Sequence, residues 1–318
     1  MSAKIGTAFV LGAGLGTRLR PLTAERPKPL VPVFHKPLIT FAFDHLRAFG
    51  VDNFVVNTHH RPEAYARLLG ANYGENPIHY RHESVLLDTA GGLANVRDLV
   101  GDEPFLVHNG DVLADLPLER LIERHFAEDN VATLLLRSAG GPAQVQCDPQ
   151  SGLITDIRAR LGGRNEPAYL FTGIYVLSPA IFGHIPAGEI CSIIPVFLKL
   201  IQAGERIGGI VLDDGLWFDL GTRESYLQVH ELFASGTALS YPLDRLWPLA
   251  VHPGAKIGDG AVLAGVCAVG ERAEVGEGSA LTDTILWEDA KIASRSRLES
   301  CIVTDGRRAE GILRAADI

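Results

Sequence analysis

The chain has 318 residues, 47% of them hydrophobic, with 38 acidic against 29 basic side chains and a formal charge of -9. Such a length allows two domains with separate cores, and the acidic balance excludes a general binder of nucleic-acid backbones, which carries a basic excess. Cys147, Cys191, Cys267 and Cys301 form no CxxC pair and predict neither disulfides nor a metal cage, MSAKIG has no signal-like core, and no run approaches the roughly 20 apolar residues of a membrane helix, so a cytoplasmic protein with no membrane partner is expected.

Over the first two-thirds of the chain, β-rich apolar runs alternate with helix-period stretches, the pattern of a mostly parallel sheet covered by helices. Strands are predicted at Thr7–Leu11, Asn53–Thr58, Ile78–His82, Phe105–Asn109, Val131–Arg137 and Tyr169–Leu177. Helices are predicted at Leu38–Phe49, Pro62–Leu69, Gly91–Leu99 and Leu118–Ala127. The fold class is α/β, a Rossmann-like, mostly parallel mixed sheet with helices on both faces. Ligands of such sheets lie beyond the carboxyl ends of the strands, where a Gly-rich loop leaves the first strand and the NGD of Asn109–Asp111 leaves another.

From about Ser240 the pattern becomes a repeat of period six. Val251, Ile257, Leu263, Val269, Val275, Leu281 and Trp287 share one register, with Gly258, Gly270 and Gly276 after three of them. Hexapeptide spacing marks a parallel β-helix. The register slips by one near Ile292 and resumes through Leu298, and at about 18 residues per coil, Val251 to about Asp305 makes roughly three coils.

The most informative stretch is LGAGLGTRLRPLTAERPKPLVPV, Leu11 to Val33. Gly12, Gly14 and Gly16 remove side chains where backbone amides approach phosphate oxygens, and Arg18 and Lys28 add fixed positive charge. The dinucleotide fingerprint fails because Thr17 stands where its third glycine belongs, the Walker GK[ST] is absent, and no HRD or DFG accompanies a kinase loop. GxGTR followed by PKPL resembles instead the signature of the sugar-1-phosphate nucleotidylyltransferases. The resemblance spans roughly Ile5 to Val229, and the repeat is similar to the left-handed β-helix appended to many members. It implies a nucleotidyltransferase domain over residues 1–238 and a hexapeptide β-helix domain over 239–318.

The implied substrates are a nucleoside triphosphate and a sugar 1-phosphate, and the products an NDP-sugar and pyrophosphate. Both reactants are anions and the nucleophile is already ionised, so the chemistry calls for cations and a metal rather than a general base. The resemblance makes Arg18, Lys28 and Asp111 catalytic and assigns Leu11, Gly12, Ala13, Gly14, Gly16, Thr17, Arg18 and Asn109 to the nucleotide. Asp111 and Asp219, two hard-oxygen donors, are the implied ligands of Mg²⁺. Arg81 to Val96 resembles the base-recognition loop, with Glu83, Thr89, Gly91 and Gly92 at the nucleobase. Thr172, Gly173 and Glu189 are implied at the sugar. Ala159 and Phe171 stand where members acting on N-acetylglucosamine 1-phosphate carry a carboxylate and an amide, which counts against that sugar.

PFLVHNGDV and WFDLGTRESY resemble N-acetylmuramate-1-phosphate uridylyltransferases, whereas the β-helix resembles that of mannose-1-phosphate guanylyltransferases. Mannose 1-phosphate with GTP is the leading expectation and a UTP-dependent N-acetylmuramate-1-phosphate or other hexose-1-phosphate uridylyltransferase the alternative. A catalytically inactive regulatory subunit and an acyltransferase β-helix are readings of other classes. Adjacent His59 and His60 cannot both face one ion and read as structural. Trp217, Trp247 and Trp287 read as core or interface anchors. The β-helix is expected to form homo-oligomers, and truncation after Ala238 to leave an active monomer.

Overall fold

The computed structural model describes residues 4–163, 166–243 and 247–318. They form two compact units. One runs to Leu15 and resumes over Ile39–Asp219; the other joins Gly16–Leu38 to Leu220–Ile318.

Across the main sheet of the first unit the strands run Ile207–Val211, Ala132–Arg137, Ala168–Leu177, Phe105–Asn109, Thr7–Leu11, Asn53–Thr58 and Asn76–His82. Ala168–Leu177 is antiparallel to both neighbours, and the other pairings in this series are parallel. Central strands are continuously apolar because both their faces are covered: Ala8, Phe9 and Val10 are all fully buried. Phe9, Val55, Val107 and Tyr175 share a core with Leu93, Val196 and Phe197 from the helices Asp88–Asn95 and Ile193–Gln202.

Thr7–Leu11, Asn53–Thr58 and Phe105–Asn109 fall where the periodicity puts them. The helix expected at Gly91–Leu99 is instead two, Asp88–Asn95 and Arg97–Val100. Its early start has a tertiary cause: the Ala90 and Gly91 amides donate to the Cys191 carbonyl, satisfying first-turn donors that otherwise need a local cap. Val112–Asp115 and Leu216–Asp219, both outside the predicted set, form an antiparallel ribbon.

In the second unit the hexapeptide region builds the parallel ladders of a short β-helix. Lys256–Ile257, Glu274–Val275, Lys291–Ile292 and Arg308–Ala309 stack in one face, and Val262–Ala264, Ala280–Thr282, Arg297–Glu299 and Ile312–Arg314 in another. Ala268–Val269, Ile285–Leu286 and Ile302–Val303 make the third. The register slip comes one face earlier than the sequence pattern indicates. Leu286, not Trp287, pairs with Val269 and Val303, and all three side chains are fully buried in the coil interior. A residue is dropped at the corner around Asp283: Ala264 pairs with Thr282, but Ala268 pairs with Ile285. The stacking also continues beyond Asp305, through Arg308–Ala309 and Ile312–Arg314, where the corner at Gly311 (φ 82°) is shorter than its counterpart between Ile292 and Arg297 and breaks the period.

Trp287, displaced from the interior, donates Nε1–H to the Tyr226 hydroxyl at 3.0 Å, and that hydroxyl donates to the Pro32 carbonyl at 2.6 Å. Trp247 Nε1–H donates to the Val33 carbonyl, and the Phe34 amide to His230 Nε2. The PKPLVPV stretch is therefore packed on residues both before and after Ala238. Truncation there strips Trp247 and Trp287 from it, so the expectation of an intact, active fragment is revised. Leu286→Ala is expected to destabilise the fold by about 2–5 kcal/mol through the cavity it leaves. Ile312→Ala, at a side chain 75% exposed, is expected to change stability by less than about 0.5 kcal/mol. Urea denaturation followed by tryptophan fluorescence compares the two.

Candidate active site

In the first unit, the carboxyl edge of the sheet gathers most of the expected residues. Leu11 and Asn109 are ladder partners at the strand ends, and the Gly110 amide donates to the Leu11 carbonyl. Asn57, which the sequence reading did not single out, organises the loop that follows. Its Oδ1 accepts from the Gly12 amide at 2.8 Å and the Ala13 amide at 3.2 Å, and its Nδ2 donates to Glu83 Oε1 at 2.7 Å. The amides of Gly12 and Ala13 are thus engaged by protein, and a Cβ at Gly12 would meet the Asn57 carbonyl oxygen at 2.5 Å. That glycine answers to strand packing, whereas Gly14 faces open space. The signal for Asn57 was a buried amide inside the apolar run NFVVNT, 2% exposed.

Glu83 is also buried, and its second oxygen accepts from the Leu87 amide at 2.9 Å. Its carboxylate braces the loop from within rather than presenting an open edge. Gly92 lies against this pair, since a Cβ there would come within 2.9 Å of both Asn57 Nδ2 and Glu83 Oε1. Gly91 packs on the carbonyl of Glu189, and the Thr89 hydroxyl accepts from the Ile193 amide, so the base-side candidates and Glu189 meet. His59 Nδ1 lies 2.8 Å from the Glu83 carbonyl oxygen, a structural contact.

Asn109 and Gly173 also meet. Gly173 sits at φ 78° in a break of the Ala168–Leu177 register, and any Cβ there would collide with the Asn109 amide. Thr172 is buried, its hydroxyl donating to the Leu135 carbonyl, and its own carbonyl accepts from Trp217 Nε1–H at 2.9 Å. The Leu216–Asp219 strand pairs Asp219 with Val112, next to Asp111 in the chain. The ribbon therefore brings two half-buried carboxylates to one end. Burial, and then the charge of Asp111, push the Tyr65 phenol up, so it remains a donor, giving to the Gly12 carbonyl at 2.8 Å.

Among the described residues, no group of three or more His, Cys, Asp or Glu side chains could hold a metal by itself. A pair of hard-oxygen carboxylates fits Mg²⁺, which keeps most of its shell for water and phosphate.

In the second unit, Gly16 (φ 56°) opens a tight turn at Thr17–Leu19, and Thr17 and Arg18 are exposed on it. The Arg18 guanidinium lies against Gly221, where a Cβ would come within 2.9 Å of Nη1. Lys28 is buried at the start of the Lys28–Leu30 turn, and its Cβ is 3.1 Å from where a Cβ on Gly16 would lie. Thr23 donates its hydroxyl to the Gly16 carbonyl at 2.7 Å, closing the turn between the two cations.

The nucleotidyl transferase family model matches residues 7–236, from the first strand to the end of the Arg223–Ala234 helix. The chain belongs to this family. A mannose-1-phosphate guanylyltransferase of Mycobacterium tuberculosis is 31% identical over 92% of this chain and 82% of its own length. Mannose-1-phosphate guanylyltransferase 1 of Arabidopsis thaliana is 31% identical over 95% of this chain and 82% of its own. A UTP–glucose-1-phosphate uridylyltransferase of Synechocystis is 25% identical over 93% and 86%.

Beneath the NGD loop lie two buried histidines whose rings are 5.9 Å apart. Burial lowers His45 to about 4, against a bond to the Leu116 carbonyl. Burial, and then His45 itself, lower His108 to about 3. The unfolded chain takes up these protons as pH falls through about 6.5, whereas the folded chain resists until about 4 and 3. Stability is therefore full at neutral pH and is lost below about 6.5, by about 1.4 kcal/mol per pH unit for each histidine. Urea midpoints between pH 7 and 5 are expected to fall, and His108→Asn to flatten that fall. Asn57→Ala, which leaves Glu83 Oε1 without its donor, is expected to lower the unfolding free energy by about 1–3 kcal/mol in the same assay at pH 7.

Proposed function

We propose that the chain is a mannose-1-phosphate guanylyltransferase, which joins GTP to mannose 1-phosphate and releases pyrophosphate. The observation that carries this reading is that relatives so named match 92–95% of the chain, β-helix included. In this reading residues 1–238 form the transferase portion, and residues 239–318 the β-helix through which the chain assembles into homo-oligomers.

A phosphate oxygen of mannose 1-phosphate attacks the α-phosphorus of the nucleotide. One P–O bond forms, the bond to the β-phosphate oxygen breaks, and no proton moves at the reacting oxygens. Arg18, exposed on its turn, clamps the leaving β- and γ-phosphates with a bidentate fork, and Lys28 places a point charge at the α-phosphate. With the Gly12 and Ala13 amides given to Asn57, the donors left to the triphosphate come from Gly14 onward. Glu83 holds the base-side loop in shape through Asn57 and Leu87, with Thr89, Gly91 and Gly92 forming the wall toward the base. Asn109, Thr172, Gly173 and Glu189 form the sugar side. Asp111 and Asp219 would hold Mg²⁺, which, when bound, neutralises phosphate charge.

The Synechocystis relative favours a second reading, a uridylyltransferase. Pyrophosphate release over GTP and UTP against mannose, glucose and N-acetylmuramate 1-phosphates separates the two. Turnover is expected with GTP and mannose 1-phosphate, and Lys28→Met and Asp111→Asn are each expected to lower kcat roughly 100-fold or more without unfolding the chain. Turnover confined to UTP moves the assignment to the second reading. Nucleotide binding with no turnover on any pair points to a regulatory subunit.

A further inference from the structure

Arg26 lies between the two cations of the signature, two residues before Lys28, and it is 4% exposed. Its Nε is 2.8 Å from Asp305 Oδ2 and its Nη2 is 3.6 Å from Glu288 Oε1. Its guanidinium also sits 5.4 Å from the centroid of the Trp287 ring. Glu288 and Asp305 belong to consecutive coils of the β-helix at one corner, where the Gly306 amide donates to the Glu288 carbonyl. On the far side of Lys28, the Pro32 carbonyl is tied through Tyr226 to the same Trp287. The short stretch Arg26–Pro32 is thus fastened at both ends to a single corner of the β-helix.

Between those anchors the backbone is stiff. Pro27 and Pro29 fix φ on either side of Lys28, so a shift of Arg26 is passed to Lys28 rather than absorbed. Lys28 in turn packs over Gly16, at the start of the turn that presents Arg18. On its other flank, Pro21–Arg26 borders a cavity of about 540 Å³ that also reaches Thr304 and Arg307, so packing there is incomplete. The pair is also lopsided: the Asp305 side chain is 37% exposed and that of Arg26 only 5%. A buried cation of this kind is weak evidence for stability, because an apolar side chain of similar volume often serves as well. What it supplies in addition is direction.

We propose that Arg26, held by Asp305 and Glu288, is a positioning residue through which the β-helix sets the placement of Lys28 and of the Gly16–Arg18 turn. The inference rests on the roles proposed above for Arg18 and Lys28. It makes the β-helix part of the catalytic apparatus, in addition to any part in assembly.

The test uses the full chain with Arg26→Met, Arg26→Lys and Asp305→Asn, and with Arg308→Ala, at an exposed side chain, as control. Three quantities are read: Tm, the separate kcat and KM at 25 °C, and amide hydrogen exchange of the protein without substrates. Arg26→Met is expected to lower kcat roughly 10- to 100-fold, the scale of a misplacement near 1 Å. Exchange should rise over residues 16–30 while the coils keep their protection. Arg26→Lys is expected to recover most of the loss, and Arg308→Ala to match the parent protein. If Arg26→Met lowers Tm but leaves kcat, KM and exchange over 16–30 unchanged, the positioning role is overturned and the pair only packs. If Arg26→Met does not fold, Asp305→Asn is judged by the same criteria. If the parent protein catalyses no nucleotidyl transfer, the proposed reaction falls, and exchange over 16–30 decides the positioning role by itself.

Discussion

The chain leaves the sheet unit after Leu15 and rejoins it only at Ile39, and the packing of the segment between them is the constraint on which the rest depends. That segment carries both signature cations. Its backbone carbonyls at Pro32 and Val33 are taken by Tyr226 and Trp247, and its buried guanidinium at Arg26 by two β-helix carboxylates. A buried carbonyl without a donor costs about 1–3 kcal/mol, so these bonds hold the segment in one place. The family signature is thus folded together with the repeat that follows it in sequence by more than 200 residues.

A second constraint works inside the sheet unit. The loop after the first strand has a fixed shape, and that shape comes from an amide and a carboxylate buried together. Asn57 spends its oxygen on Gly12 and Ala13 and its nitrogen on Glu83, which spends its other oxygen on Leu87. Each member satisfies its neighbour, so the network fixes one conformation, whereas a partly satisfied one would be a source of strain. Of the glycines the sequence offers for a ligand, Gly92 leaves room for this network to close, and Gly12 leaves room for the Asn57 carbonyl oxygen beside it.

The β-helix illustrates the same logic with apolar groups. Each coil can bury its aliphatic column only by stacking on the next, and a fully buried leucine or valine contributes about 1.5–3 kcal/mol. The interior column Val269, Leu286 and Val303 is aliphatic throughout, and the large ring of Trp287 is turned outward, where its N–H finds the Tyr226 hydroxyl. The one-residue slip at Asp283 is what allows both.

Periodicity alone determined the alternation of strands and helices, the central strand ends at Leu11, Thr58 and Asn109, and the presence of a coil repeat, because each depends on spacing within a few residues. The signature also determined the class of chemistry, because glycines and cations in that order suit few guests other than phosphate. Only the tertiary structure decided that Leu286 rather than Trp287 faces inward, that Asn57 claims the first loop amides, and that Glu83 is a buried brace. Only it decided, too, that Arg26 answers to Asp305. These outcomes depend on which distant side chains compete for the same donor or the same space, and that competition leaves no periodic trace in the sequence.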